Sequence, residues 1–200
     1  MKKLMLATAF LLGLGHAAGA VTVFSDNFNG ESVGQNVTLS KWQVRQGSVD
    51  VLGPGLGSVY SGTGKYVDLG GSTNKAGTIR TRRIKLVKGA TYRLSFDVGV
   101  AGTKPERLVF GLYRNVRYAL KSPKGGLPAM KRVSRTFTAT SGAGWLFFKG
   151  FGRDNSGALI DNVRLRKLSP PQPVPVPAAL GLFATAIAGL GLIGLRRRRS

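Results

Sequence analysis

The stretch Arg107 to Tyr118 gathers the side chains best suited to hold a sugar. Read as one strand, it sets Leu108, Phe110 and Leu112 on an apolar face and Arg107, Tyr113, Asn115 and Arg117 on the opposite one, because successive side chains alternate. An aromatic plane beside an amide and two guanidinium forks suits a pyranose ring, its hydroxyls, and a carboxylate or sulfate. Trp145 could add a second aromatic platform. Trp145 and Trp42 also head strand-like runs, however, and on that ground both read as core.

A second group of residues could hold a hard cation. Asp26 falls between Phe24 and Phe28, and strict alternation with Leu159, Val163 and Leu165 points Asp161 inward as well. A buried carboxylate needs a hydrogen-bonded or cationic partner. Calcium takes six to eight oxygen ligands, so a site built from Asp26, Asn29, Glu31 and Asp161 would satisfy both carboxylates and tie the two ends of the domain together. Two alternatives stand beside it: a bulge that turns Asp161 to solvent, or a Lys or Arg that pairs with it.

Other chemistry is excluded by composition. There is no cysteine, and the single histidine, His16, lies in the N-terminal apolar segment. The rest of the chain therefore offers no thiol nucleophile, no Ser-His-Asp arrangement and no histidine-ligated zinc. Glycoside hydrolysis needs only two carboxyls at a suitable separation, but no motif marks a pair among the 8 acidic residues. The domain reads as a binding or structural protein, not an enzyme. No helix-turn-helix or RNA-binding signature appears, so no specific nucleic-acid partner is expected.

The elements that must position these residues read as short strands. In Ala90 to Val98, Tyr92, Leu94, Phe96 and Val98 alternate with Arg93, Ser95 and Asp97, the period of a half-buried strand. Similar runs cover Trp42 to Leu52, Lys65 to Leu69, Thr78 to Val87, Arg107 to Leu120, Val133 to Thr140, Trp145 to Phe151 and Ala158 to Leu165. Turn signals at Gly53-Pro54-Gly55, Gly70-Gly71-Ser72 and Pro123-Lys124-Gly125-Gly126 break them up. The expectation is an all-β, antiparallel sandwich.

The two ends of the chain read as handling signals. Lys2 and Lys3, the apolar stretch Leu4 to Leu14 and Ala18-Gly19-Ala20 make the three parts of a secretory signal peptide over residues 1–20. After the domain at 21–168 comes a Pro-rich linker at 169–177. Next is an uncharged run of 18 residues from Ala178 to Leu195, and last the tail 196–200 with Arg196, Arg197, Arg198 and Arg199. As a helix that run is roughly 27 Å long, just enough to cross a bilayer, and the arginines hold its end in the cytoplasm with the domain outside. Without these ends the domain keeps 24 Lys and Arg against 8 Asp and Glu, a net charge of +16. Such a field attracts the polyanions outside a cell: acidic exopolysaccharide, lipopolysaccharide phosphates and free DNA.

Val174-Pro175-Val176-Pro177-Ala178, the apolar helix and the terminal arginines together resemble the PEP-CTERM class of bacterial sorting signals in its Val-Pro-Xaa-Pro-Ala form, with Val176 where the commonest form carries Glu. The resemblance implies recognition by an exosortase-type transpeptidase, removal of the helix, and delivery to the cell surface or beyond it. A plain membrane anchor is the simpler alternative. The blocks Trp42-Gln43-Val44, Gly47 to Val51, Gly64 to Leu69, Gly89 to Asp97 and Ala158 to Leu165 in turn resemble the galactose-binding-like jelly rolls of such proteins. That resemblance implies a jelly-roll sandwich, often a carbohydrate-binding module, and often a structural calcium between the first and last strands. The expected function is binding of acidic exopolysaccharide. A matrix or biofilm component without a ligand-specific groove is the alternative.

Overall fold

Alternation of apolar and polar residues sorts the chain into two facing antiparallel sheets. The computed structural model describes residues 19–57, 59–60, 64–124 and 129–168. The expected linker, helix, Arg tail and all but the last two residues of the signal peptide lie outside the described residues. Within them the strands are β1 (Val21–Asp26), β2 (Trp42–Gln46), β3 (Asp50–Leu52), β4 (Tyr66–Asp68), β5 (Thr78–Thr81), β6 (Ile84–Lys85), β7 (Thr91–Val100), β8 (Arg107–Leu112), β9 (Val116–Lys121), β10 (Lys131–Thr138), β11 (Ala143–Gly144), β12 (Leu146–Gly150) and β13 (Ala158–Lys167).

One sheet has the order β10-β7-β13-β4-β3, with β1 also paired to β13; the other has the order β2-β5-β12-β8-β9. A small ladder joins β6 to β11. The architecture is the expected all-β, antiparallel jelly-roll sandwich. Its core lies between the sheets, where Phe96 meets Phe110 at 4.7 Å and Phe148 at 4.9 Å, ring centre to ring centre. Edge-on packing at these separations is a favoured aromatic geometry. Trp42 joins the same core, as expected, 5.7 Å from Phe148.

Three runs expected as single strands are divided. The run Thr78 to Val87 forms β5 in the five-stranded sheet and then β6 in the small ladder with β11. The run Trp42 to Leu52 starts in one sheet as β2 and ends in the other as β3. It crosses at Gly47, which has φ +60° and whose Cβ, were there one, would sit 2.3 Å from the Ala76 carbonyl oxygen. Only glycine combines that backbone conformation with so close an approach. The run Arg107 to Leu120 is a hairpin. β8 stops at Leu112, the chain turns through Tyr113, Arg114 and Asn115 with Arg114 at φ 67°, and β9 returns antiparallel.

Candidate functional site: a basic cleft on the five-stranded sheet

The outer face of β2-β5-β12-β8-β9 carries a cleft of about 670 Å³. β12 alternates across the sheet: Leu146 and Phe148 are buried in the core, while Phe147 and Lys149 face the cleft, with Trp145 just ahead of them. Arg80 sits opposite Phe147 on β5, and on the other side Phe147 faces Gly111, which in turn faces Arg117 on β9. The hairpin turn adds Tyr113 and Arg114, and β2 adds Arg45. Five cationic side chains therefore line the cleft, and no carboxylate does.

Of the sequence-selected residues, the structure brings Tyr113, Asn115, Arg117 and Trp145 together here and leaves Arg107 out. Arg107 packs instead over Phe151, its guanidinium carbon 4.4 Å from the ring centre. The hairpin explains the outcome. Arg117 shares the face through register with Gly111 on a neighbouring strand, not through alternation along one strand.

Tyr113 is 58 % exposed, a ring free to stack on a ligand. Trp145 corrects the expectation of a core residue: it is only half-buried, lines the cleft, and lies 5.6 Å from Tyr113. Its ring is flanked by Arg80 at 5.6 Å and Arg114 at 5.9 Å. Cation–π contact of this kind holds a guanidinium in place while leaving its forked donors to face outward.

Asn115 belongs to the scaffold more than to the ligand surface. Its Oδ1 accepts from the Thr140 and Ser141 N–H groups at 2.9 and 3.1 Å, and its Nδ2 donates to the Tyr113 and Ala143 carbonyls at 3.4 Å. The amide thereby fixes the turn that presents Tyr113. Among the described residues, two buried polar atoms of the cleft residues, Thr78 Oγ1 and Arg80 Nε, have no hydrogen-bond partner, an unusual condition.

Arg45, Arg80, Arg114, Phe147 and Lys149 were not singled out from sequence. One signal could have found part of the set: Trp145 and Lys149 have the same parity in one strand, and a lysine does not face a core. The arginines come from different strands, and their convergence depends on register.

Of the expected calcium ligands, Asp26 and Asp161 lie near enough to interact, while Glu31 and Asn29 are engaged by other groups of the protein. Glu31 accepts from Ser40 N–H and Oγ–H at 2.9 and 2.6 Å, and Asn29 Oδ1 accepts from the Lys65 N–H at 2.8 Å. Asp26 accepts from Trp42 Nε1–H at 2.8 Å and lies 3.5 Å from the Lys41 ammonium. Among the described residues no three His, Cys, Asp or Glu side chains form a metal-holding group. Residues 26, 29, 31 and 161 therefore do not fit a single ion as a ligand set.

Asp161 departs from its expected inward position. Ile160, Val163 and Leu165 enter the main core, while Leu159 packs on the opposite face with Tyr60 and Tyr66. A bulge between Asp161 and Arg164, with Asn162 at φ 50°, resets the alternation. Asp161 stays on the outer face yet is only 1 % exposed. Burial first, and then the neighbouring Asp97 and Asp26 carboxylates, push it up to about 7 against the pull of the Asn162 N–H and Arg132. Asp68, buried beside Asp50, is likewise raised to about 7, mainly by burial and against the Gly70 N–H.

A basic, aromatic cleft on one sheet of a β-sandwich can hold a chain of sugars, and a family match decides the class. The model of the carbohydrate binding domain family CBM_4_9 matches residues 21–150. The chain belongs to that family. All twelve strands from β1 to β12 of this CBM_4_9 domain, and every residue lining the cleft, fall inside the match.

Solved structures of similar shape include TmCBM61 in complex with beta-1,4-galactotriose, at 16 % identity and TM-score 0.47, covering 64 % of this chain and 90 % of that one. The CBM22-1 xylan-binding domain from Paenibacillus barcinonensis Xyn10C has 15 % identity and TM-score 0.45, covering 76 % and 97 %. The module CBM6cm-2 from Cellvibrio mixtus lichenase 5A, in complex with cellotriose, has 13 % identity and TM-score 0.42, covering 74 % and 100 %. No curated protein matches the chain.

Proposed function

We propose that this protein is a non-catalytic binder of acidic polysaccharide and that the cleft on the five-stranded sheet is its binding surface. The observation that carries the reading is a lining of five cationic side chains with no carboxylate, beside an exposed tyrosine ring. Tyr113 stacks on a sugar face, and the guanidinium forks of Arg80, Arg114 and Arg117 take its acid groups. Membership in a carbohydrate binding domain family supports the sugar, and the charge supports its acidity.

The same proposal places the protein outside the cell. The signal peptide exports it, the apolar helix holds it in the inner membrane, and an exosortase-type transpeptidase acts at Val174 to Ala178 to pass it to the surface or the matrix.

Titration calorimetry with polygalacturonate across a salt series tests the binding. Diffuse charge weakens as salt shortens the Debye length to about 8 Å at physiological strength, whereas contacts in the cleft persist. Tyr113→Ala should weaken binding about tenfold at that strength, a loss of roughly 1.4 kcal/mol, and Lys167→Ser should change mainly the salt slope. Wild-type binding by Tyr113→Ala, with all affinity gone at moderate salt, would leave a charged matrix protein without a sugar site.

A further inference from the structure

The outer face of β12 does not end with the cleft. Its alternate positions continue from Trp145, Phe147 and Lys149 to Phe151, which lies beside a second depression of about 380 Å³. Lys149 lines both depressions, and Lys75 and Arg153 line the second. Neither lining contains Asp or Glu. Glu106 and Asp154 interact with one another near Gly152 but line neither depression.

The two ends are built alike. At one, Trp145 holds Arg80 and Arg114; at the other, Phe151 holds Arg107 at 4.4 Å and Lys149 at 5.2 Å. The two rings flank β12 and stand six residue steps apart, roughly 20 Å at about 3.3 Å per residue. That exceeds two Debye lengths at physiological salt, about 8 Å each. A single anion held against the Trp145 ring is therefore screened from the groups around Phe151 other than Lys149, which the two depressions share.

Resting on the reading of the cleft as a polysaccharide site, we infer that the Phe151 depression is a second anion subsite of one continuous track. The track takes an internal stretch of a sugar chain that carries acid groups along its length. A singly charged or terminal sugar gains from one end only. A chain long enough to reach both gains from each, because the second contact becomes intramolecular once the first is made.

Galacturonate oligomers graded in length, titrated into the full-length protein at physiological salt, test the inference. Affinity should rise at least tenfold between trisaccharides and oligomers long enough to span both ends. The pair Lys75→Ser with Arg153→Ser, both exposed, should remove about tenfold for the long oligomer and leave the trisaccharide unaffected. Equal affinity at all lengths, or a pair that changes nothing, overturns the second subsite; if Tyr113→Ala still weakens binding, the cleft itself stands. No binding of either length above a neutral dextran control overturns both readings. Equal competition by single-stranded DNA of matching length would reassign the track from sugar chains to polyanions in general.

Discussion

Asp161 and Asp97 face each other across β13 and β7 with Asn162 donating to both, Nδ2 to Asp97 Oδ2 at 2.9 Å and to Asp161 Oδ2 at 3.1 Å. Arg132 caps the other Asp97 oxygen at 2.9 Å. Like charges directly opposite in a sheet are unfavourable, and the arrangement is eased because Asp161 is raised to about 7, chiefly by burial.

A pH dependence follows with an unusual sign. The unfolded chain releases the Asp161 proton near 3.8, while the folded chain keeps it to about 7. Between those values the folded state binds more protons, so stability falls as pH rises, by about 1.4 kcal/mol per pH unit for one such group at most. Asp68 acts in the same direction. Asp161→Asn, which keeps an acceptor for the Asn162 N–H, should match wild type near pH 3, below both values, and melt at higher temperature than wild type at pH 8. Thermal melts of the two proteins at both pH values measure it. Parallel melting curves across that range would mean Asp161 is ionised in the folded state.

Trp145 reports on its own site. Two guanidiniums flank its ring at 5.6 and 5.9 Å, whereas Trp42, the other tryptophan, is buried with its N–H on Asp26. Drawing Arg80 or Arg114 onto an acidic chain must change the surroundings of the Trp145 indole and leave Trp42 alone. Polygalacturonate should shift or quench tryptophan emission in the wild type, and Trp145→Phe should abolish the response. Phe offers Arg80 and Arg114 a weaker π face than the indole, and at about 0.5–1 kcal/mol for each exposed cation–π contact the substitution should also cost up to severalfold in affinity. A full emission response in Trp145→Phe would move the ligand away from the cleft.

The sandwich was legible because its signal is local. β7 shows its period in one glance at Tyr92, Leu94, Phe96 and Val98, and no neighbour is needed to read it. The site was legible only in part. Tyr113, Asn115, Arg117 and Trp145 do reach one cleft, but Arg45, Arg80 and Lys149 join them through strand register, which the sequence does not display. Asp161 was misplaced for a related reason: one extra residue at Asn162 reverses the parity on which its inward position rested.

The crossing at Gly47 makes a stability prediction. Alanine there would have to hold φ +60° and would place Cβ 2.3 Å from the Ala76 carbonyl oxygen, a backbone atom that cannot rotate away. The expected loss is about 2 kcal/mol or more, from strain combined with the displaced contact. Chemical denaturation of Gly47→Ala measures it, and a midpoint equal to wild type would show that the crossing adjusts freely. Gly55, also at positive φ but with open space around it, is the control, and Gly55→Ala should cost less.

The proposed sorting makes a covalent prediction. If an exosortase-type enzyme acts at Val174-Pro175-Val176-Pro177-Ala178, surface protein should lack everything after roughly Pro177 and should begin near Val21 once the signal peptide is gone. On this proposal Arg196, Arg197, Arg198 and Arg199 act as the positive-inside stop, since charged groups at this end resist transfer across the bilayer. Replacing all four by Ser should misroute the chain and reduce the processed form. Intact-mass analysis of protein released from the cell surface reads both ends at once. A mass that retains residues 178–200 would make the segment an ordinary anchor and leave the domain tethered at the inner membrane, out of reach of polymers beyond it.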